Sequence, residues 1–248
     1  GKFLMSGSLY RGAKPVMWSV VEKTALAEAE IEYQEHESNT IFVRFTVSKK
    51  STSNIAKNAN IIIWTTTPWT IPGNRAIAFS PSNNYARVTI TETSENALSK
   101  IGEEIVVAEP LISQVMEQCG IIKYEIVNIF EGKELAGTIC SHPFVNSGYE
   151  FEVPLLTADF VEMDTGTGFV HIAPGHGADD WELSIKNSIP VPDTVGGDGL
   201  YYENVPMFSG IHVYKADEVV IEKLKECESL LANGKIKHSY PHSWRSKA

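Results

Sequence analysis

Two short segments of the sequence concentrate the side chains that could do chemistry. The first, WTTTPWTIPGN at residues 64 to 74, follows an apolar run and carries four hydroxyl groups, those of Thr65, Thr66, Thr67 and Thr70. Threonine is common in strands because its branched side chain suits a pleated surface, so the hydroxyls alone indicate only a strand. Pro68 changes this interpretation, since proline cannot donate to a strand ladder and should end the strand. The threonines are therefore predicted at the mouth of a strand, where hydroxyls and free backbone amides can face a ligand.

The second segment, GTGFVHIAPGHGADDWEL at residues 166 to 183, has the pattern of a strand, a glycine-bracketed turn and a helix. Its titratable side chains include His171, His176, Asp179 and Asp180. Aspartate is favoured in the first turn of a helix and stabilises it by ~1 kcal/mol, which is the expected role of Asp179. The same helix dipole is expected to keep Asp180 ionised. An ionised carboxylate in this position could anchor a substrate ammonium group.

Other kinds of site fit the spacing less well. His-x4-His followed by two carboxylates could ligate zinc, but it matches no familiar zinc pattern such as HExxH. No GxSxG motif and no cysteine beside a histidine indicates a covalent nucleophile. The GGDG at 196 to 199 is interpreted as a loop, because it neither follows a strand nor opens a helix. His36, His142 and His212 stand apart and are interpreted as surface or hydrogen-bonded core residues. We therefore expect no metal and no cofactor.

The elements that must position these segments are mostly short strands. Runs rich in β-branched and aromatic residues predict strands at 41–47, 60–64, 75–80, 85–90, 104–108, 151–156 and 168–173. Helices are predicted at 109–119, about 178–187 and about 216–232, the last one stopping at Gly234. Residues 25–33 alternate with the period of a strand, although Ala and Glu favour a helix, and we favour the strand. The pattern predicts a mainly β fold, a closed or nearly closed β-barrel with peripheral α-helices.

Composition limits the classes of function. The 248 residues are 43% hydrophobic, enough for the core of one large domain. The three cysteines form no CxxC pair and no apolar run approaches the roughly 20 residues of a membrane span, so a cytoplasmic location away from membranes is expected. With 31 acidic and 21 basic residues the formal charge is −10. This charge opposes tight, sequence-independent binding to nucleic acid and disfavours a simple RNA-binding module.

Both ends of the sequence read as cut from a longer chain. The opening residues, GKFLMSGSLYRGAKPVMWS, lack an initiator methionine, and the closing KHSYPHSWRSKA ends without an evident helix or strand. We therefore predict one domain over 1–248, with junction segments at 1–20 and 238–248.

The two chemical segments resemble the signature stretches of the editing domain inserted into isoleucyl-tRNA synthetase, in its bacterial form. LYRGAKPVMWS with TALAEAEIEY resembles the point where that family's chain leaves its catalytic domain, and SYPHSWRSK resembles the point of return. The valyl and leucyl relatives carry an arginine inside the threonine stretch, whereas Pro68 and Trp69 follow the threonines here, which favours the isoleucyl member. Ser243 departs from the family, where many members have a cysteine, but it concerns the junction. The nucleotide-binding HIGH and KMSKS motifs are missing, so this chain is not expected to activate an amino acid.

The resemblance implies a central β-barrel and a proofreading hydrolase that removes valine from tRNA-Ile, with valyl adenylate as a second substrate. Its implied partners are the 3′ end of valine-charged tRNA-Ile and the remainder of the synthetase. Asp180 would hold the α-ammonium of valine. The implied catalytic residues are Asp180, Thr65, Thr67 and His171. The implied substrate-binding residues are Thr66, Trp69, Thr70, Ala173, His176 and Trp181.

The implied reaction needs neither a protein nucleophile nor a metal. Water would attack the ester carbonyl while the domain supplies position and hydrogen bonds to the oxyanion. A second site is needed because one methylene is worth only ~1–3 kcal/mol in an apolar pocket, and isoleucine against valine is the standard example of this limit. A metal-dependent hydrolase of small amino-acid esters or amides and a non-catalytic RNA-binding module are the alternatives from other classes.

Overall fold

Three β-sheets form the architecture of this chain, for which a computed structural model describes residues 1–9, 12 and 15–248. The strands are β1 (Trp18–Ser19), β2 (Thr24–Ala25), β3 (Ile31–Thr46), β4 (Asn60–Thr65), β5 (Ala76–Phe79), β6 (Asn84–Thr93), β7 (Glu104–Ala108), β8 (Ile121–Glu131), β9 (Ile139–Ser141), β10 (Glu152–Thr157), β11 (Phe169–Ile172) and β12 (Leu230–Ser243). The α-helices are α1 (Lys2–Met5), α2 (Ile112–Gln118), α3 (Ala178–Lys186) and α4 (Ala216–Glu226). Short 3-10 helices cover Glu28–Glu30, Pro68–Gly73, Glu109–Leu111, Gly132–Leu135 and Val213–Lys215.

The mainly β character is confirmed, whereas closure into a barrel is not. The described strands form a two-stranded sheet β1-β2, a four-stranded sheet β11-β5-β10-β9 and a six-stranded sheet β12-β3-β4-β7-β6-β8. Among the described residues, the contacts that join the larger sheets include a β-bridge between Val47 and Cys140 and a hydrogen bond from the Ala108 amide to Thr167 O (2.8 Å). The apolar run at 61–63 is fully buried, and its strand β4 lies inside the six-stranded sheet with a paired strand on each edge. This central strand delivers the threonine segment to the junction of the two sheets.

All seven predicted strands are present, and so are the helices predicted at 109–119 and 178–187. Strands β1, β8, β9 and β12 were missed, and β2 shares only Ala25 with the strand favoured at 25–33. His142 is the hydrogen-bonded core residue that was expected, since it is 1% exposed and its Nε2 lies 3.1 Å from Ile71 O. The GGDG segment lies in a loop between the bridged residues Val195 and Tyr201, as predicted.

The end of the third predicted helix was wrong. Helix α4 stops at Glu226, Glu228 adopts a left-handed φ of 57°, and Leu230 already begins β12. Gly234 is therefore inside a strand and does not cap the helix. A strand forms here instead of a helix because β12 pairs with β3 along almost its whole length, and this pairing buries Leu230 and Leu231. The same pairing runs through Ser243, so the closing residues are not without regular structure.

Residues 25–33 are only partly the strand that we favoured. A 3-10 helix covers Glu28–Glu30, and β3 begins at Ile31. The local turn is stabilised by the Glu30 carboxylate, which accepts a hydrogen bond from the Ala27 amide (3.0 Å). The predicted junction segment 1–20 includes positions 10, 11, 13 and 14, which lie outside the described residues. The single-domain assignment stays a prediction.

Candidate functional site

The threonine segment forms a connected set of hydroxyl groups where β4 ends. Strand β4 stops at Thr65, and Pro68 begins the 3-10 helix Pro68–Gly73, as the proline predicted. The Thr65 and Thr67 hydroxyl oxygens are 3.1 Å apart, and those of Thr67 and Thr70 are 3.4 Å apart. The Thr67 amide also donates to Thr65 Oγ1 (3.2 Å). We call Thr65, Thr67 and Thr70 the hydroxyl chain.

His171, on β11, joins this hydroxyl chain with a defined tautomer. Its Nε2 lies 2.7 Å from Thr70 Oγ1, and its Nδ1 lies 3.0 Å from Asn74 Nδ2. Asn74 Nδ2 also donates to Ala76 O (2.9 Å), which fixes the orientation of the amide, so Nδ1 of His171 must be the acceptor. Burial lowers the pKa of His171 to about 3. The imidazole is therefore neutral, with its proton on Nε2, and it donates this proton to a hydrogen bond with Thr70 Oγ1.

Asp180 points back from the first turn of α3 into the turn that follows β11. Its Oδ2 accepts a hydrogen bond from the Ala173 amide (2.7 Å). This position requires a glycine at 177, because a Cβ there would lie 2.8 Å from Asp180 Oδ1. Burial raises the pKa of Asp180 to about 6, with a smaller opposing effect of the Ala173 hydrogen bond and a repulsion from Asp179. Burial thus opposes the helix dipole that was expected to favour the ionised form, but the carboxylate is still mostly ionised at neutral pH.

Asp179 and Trp181, the neighbours of Asp180, lie differently. Asp179 is exposed in the first turn of α3. The N-cap residue of this helix is Gly177, and no side-chain capping hydrogen bond is made there. Trp181 is half-buried, and its backbone amide donates to Gly177 O (3.0 Å). Among the described residues, no hydrogen bond joins the Trp181 side chain to the hydroxyl chain. Asp180 is thus the one of the three that the structure directs towards the turn.

The two chemical segments pack directly against each other. The rings of Trp69 and His176 meet edge to face, with centroids 4.9 Å apart. A Cβ at Gly73 would lie 3.1 Å from His176 Cδ2 and 3.7 Å from the Ala173 methyl group, so this glycine permits the close approach. His176 Nε2 is 2.7 Å from Thr194 Oγ1, and burial lowers the pKa of His176 to about 4. Trp69 and His176 therefore form a neutral, rigid wall, which we call the aromatic wall.

Distant residues that the sequence did not indicate support the aromatic wall. The Trp69 amide donates to Asp217 Oδ1 (3.1 Å) at the start of α4, and the Tyr201 hydroxyl donates to Trp69 O. Burial raises the pKa of Asp217. Asp217 and Tyr201 lie 148 and 132 residues from Trp69 along the chain, so no local pattern could have found them. Asn74, by contrast, lies within the first chemical segment, so the sequence showed this residue but not its hydrogen-bond partner, His171.

A cleft of about 250 Å³ opens beside the hydroxyl chain. Its lining includes Trp64, Thr65, Thr66, Phe160, Glu162 and residues 165–170. We call it the threonine cleft. It reaches the chemical residues through Thr65 and Thr66, whereas Asp180 and His171 are not among its lining residues. Thr66 is half-buried and faces this side of the site.

The two histidines of the chemical segments both make hydrogen bonds to threonine hydroxyl groups. Within residues 1–9, 12 and 15–248, no group of three or more His, Cys, Asp or Glu side chains is placed to hold a metal ion. In each of His171 and His176, the Nε2 atom makes its hydrogen bond with a threonine hydroxyl.

In the described part of the chain, no helix has both the length and the apolar character needed to cross a membrane.

The family comparison identifies the fold of this site. Residues 37–208 match the family model described as leucyl-tRNA synthetase, editing domain. Among solved structures, the crystal structure of GlLeuRS-CP1 aligns with a TM-score of 0.58 at 15% identity, covering 79% of this chain and 99% of that one. The P. falciparum cytosolic leucyl-tRNA synthetase editing domain aligns with a TM-score of 0.57 at 11% identity, with the same coverage. At these identities the likeness concerns the fold alone.

Closer sequence relatives are whole synthetases. The isoleucine–tRNA ligase of Pelagibacter ubique is 51% identical over 248 residues, which is 100% of this chain and 27% of the relative. That of Gluconobacter oxydans is 48% identical over 260 residues, again covering 100% of this chain and 27% of the relative. The chain thus spans about a quarter of the length of the relatives that it matches.

Proposed function

The chain belongs to the family of aminoacyl-tRNA synthetase editing domains, and on that premise we propose that it hydrolyses the ester that joins misattached valine to tRNA-Ile. The isoleucine–tRNA ligases that match it along its whole length support this choice of tRNA. The observation that carries the proposal is the position of Asp180, whose carboxylate is held against the Ala173 amide beside the packed chemical segments.

In the proposed reaction, Asp180 binds the α-ammonium of valine. At neutral pH the carboxylate is mostly ionised in spite of its raised pKa, so it can accept a charge-assisted hydrogen bond. Its partial burial strengthens this interaction, because opposite charges attract more strongly where water is excluded. Anchoring the ammonium fixes the ester carbonyl next to it, which is the near-attack geometry that the reaction requires.

The hydroxyl chain positions the attacking water and stabilises the oxyanion. Thr65 and Thr67 can each present an oxygen or a hydrogen to a ligand, and their mutual hydrogen bond fixes where those groups point. Neutral His171 holds Thr70 from behind and does not remove the proton from water. An ester is an activated substrate, and a neighbouring ribose hydroxyl can carry the proton, so no strong protein base is required. We place the terminal adenosine in the threonine cleft, next to Thr65 and Thr66.

The aromatic wall sets the size of the amino acid. Trp69 is fixed at its amide by Asp217 and at its carbonyl by Tyr201, and His176 is fixed by Thr194. Because these hydrogen bonds hold both residues, the aromatic wall cannot move to make room for a further methylene. Overpacking of this kind typically costs ~1–3 kcal/mol. Valine ester is therefore accepted and isoleucine ester is excluded.

The remaining assignments concern the setting of this activity. We propose valyl adenylate as a second substrate, because it presents the same ammonium and ribose groups. The remainder of an isoleucyl-tRNA synthetase is the proposed partner, and the chain is proposed to be one editing domain with junctions at 1–20 and 238–248. The cysteines Cys119, Cys140 and Cys227 are free thiols, which accords with the reducing cytoplasm that we propose as its compartment.

The decisive experiment compares the release of amino acid from valine-charged and isoleucine-charged tRNA-Ile. We expect the chain to release valine at least tenfold faster than isoleucine, after subtraction of the spontaneous hydrolysis of each ester. Equal release of the two amino acids would contradict the role of the aromatic wall. If neither amino acid is released faster than without protein, the proposed function is wrong.

A further inference from the structure

A second cleft lies next to the threonine cleft, and Trp64 lines both of them. It has a volume of about 330 Å³, and its lining comprises Thr40, Phe42, Trp64, Gln118 and residues 232–236. We call it the sheet cleft. Nothing in the proposed reaction uses it, although Trp64 directly precedes the first threonine of the hydroxyl chain.

Strand register explains the floor of the sheet cleft. Phe42 on β3 pairs with Trp64 on β4 and with Ala232 on β12, so these three side chains form a row across one face of the sheet. Two residues along β3, Thr40 pairs with Gly234 and continues the same face. Phe42 is only 4% exposed whereas Trp64 is half-buried, so Trp64 presents the accessible aromatic surface. Gly234 has no side chain, which leaves open space above this face beside Thr40.

We propose that the sheet cleft binds the base of the nucleotide that precedes the terminal adenosine, an inference that rests on the proposed function. If the adenosine lies in the threonine cleft, its 5′ neighbour must leave past Trp64, which the two clefts share. The 3′ end of a tRNA is single stranded, and unpaired bases are bound by stacking on aromatic side chains. Gln118 also lines the cleft and carries an amide group of the kind that hydrogen bonds to base edges.

The size and charge of the sheet cleft favour a base over other occupants. A volume of about 330 Å³ is at the small end of ligand pockets, which suits one nucleotide and is too small for a helix or strand of a protein partner. Lys235 is ion-paired with Glu37 (2.7 Å), and no other lysine or arginine is among the lining residues that the structure describes. The cleft therefore offers an aromatic surface and the Gln118 amide, and no unpaired cation for a free phosphate.

The test compares three valine esters that differ only on the 5′ side of the terminal adenosine. They are the valyl esters of adenosine, of cytidylyl-adenosine, and of the same dinucleotide with an abasic ribose in place of the cytidine. Stacking of one base predicts a kcat/KM for the cytidylyl-adenosine ester that is roughly 5- to 100-fold higher than for the other two. Because the abasic ester keeps the phosphate, it separates recognition of a base from attraction of the chain to charge.

Two variants on β12 locate the effect. Gly234→Val fills the sheet cleft without demanding a left-handed backbone, and the one atom of the described residues within 4 Å of a Cβ at 234 is the Thr40 hydroxyl oxygen, at 3.2 Å. We expect this variant to hydrolyse the adenosine ester normally and to lose the advantage of the cytidine base. Ser239→Val, an exposed position on the opposite face of the same strand, is the matched control and should keep that advantage.

The outcomes distinguish this inference from the function on which it rests. If wild-type protein hydrolyses all three esters with equal kcat/KM, the sheet cleft binds no base, while the proposed function stands. An advantage of cytidine that survives in a folded Gly234→Val variant would place the base elsewhere and overturn the inference. If Gly234→Val does not fold, the wild-type comparison of the three esters still decides. Failure to hydrolyse any ester would overturn both proposals.

Discussion

Replacing Asp180 by asparagine should make the protein more stable and far less active at the same time. The carboxylate is partly buried, which raises its pKa from the ordinary 3.8 to about 6. One pKa unit corresponds to ~1.4 kcal/mol, so keeping Asp180 ionised in the fold costs on the order of 2–3 kcal/mol at neutral pH. Asparagine has the same shape, carries no charge, and its Oδ1 can still accept the hydrogen bond from the Ala173 amide.

The pH dependence of stability follows from the direction of this shift. A carboxyl group with a raised pKa in the folded state binds its proton more tightly there than in the unfolded chain. The contribution of Asp180 to the free energy of unfolding should therefore fall as pH rises from about 4 to about 6, and stay lowered above that range. The stability advantage of Asp180→Asn should approach ~2–3 kcal/mol at pH 7.5 and be about half as large at pH 5. Asp180→Ala lacks this gain, because it leaves the Ala173 amide without its acceptor at a cost of ~1–3 kcal/mol.

Urea unfolding followed by circular dichroism at the two pH values measures the stability change, and release of valine from charged tRNA-Ile measures activity. Loss of a charge-assisted hydrogen bond costs ~1.5–3 kcal/mol, so kcat/KM for Asp180→Asn should fall roughly 10- to 100-fold. Asp179→Asn is the matched control: this exposed residue should change stability by less than ~0.5 kcal/mol and leave valine release intact. An Asp180→Asn variant that is no more stable than wild type at pH 7.5, or one that is fully active, would refute the reasoning.

The other expected outcomes concern the pH profile, the support of the aromatic wall and the absence of a metal requirement. The pKa of Asp180 is about 6, whereas burial holds the pKa values of His171 and His176 at about 3 and 4, so only Asp180 changes its charge near pH 6. We therefore expect kcat/KM for valine release to fall about tenfold per pH unit below pH 6. A flat profile between pH 5 and 7 would contradict this. Asp217→Ala removes the acceptor of the Trp69 amide, so isoleucine release should rise relative to valine release, and an unchanged ratio in the folded variant would show that the wall needs no such support. Valine release should survive prolonged treatment with a chelator, whereas loss that zinc restores would favour the metal-dependent hydrolase.

Much of the fold could be read from local pattern. The apolar run before Thr65 and the proline at 68 fixed the end of β4, and the pattern of residues 166 to 183 gave β11, the turn and α3. Errors arose where pairing between distant segments opposed local preference. Residues 227–232 continue a helical pattern, but they turn into β12 because β3 offers a buried partner strand. The order of the strands within each sheet could not be predicted either, since alternation along a strand does not say which strands are neighbours.

The sequence by itself determined which side chains are available and how they are spaced along each segment: a row of threonines at a strand end, and an aspartate in the first turn of a helix. The tertiary structure decided the protonation states and the hydrogen-bond partners of those groups. Thr70 meets His171 across 101 residues, and Asn74 meets it across 97, which together fix a neutral tautomer. Asp180 has a raised pKa because the packed turn excludes water from it, against the expectation from its helix position alone. The physical reason is that helix and strand propensities act over a few residues, whereas burial and hydrogen-bond partners depend on segments that are distant in the chain.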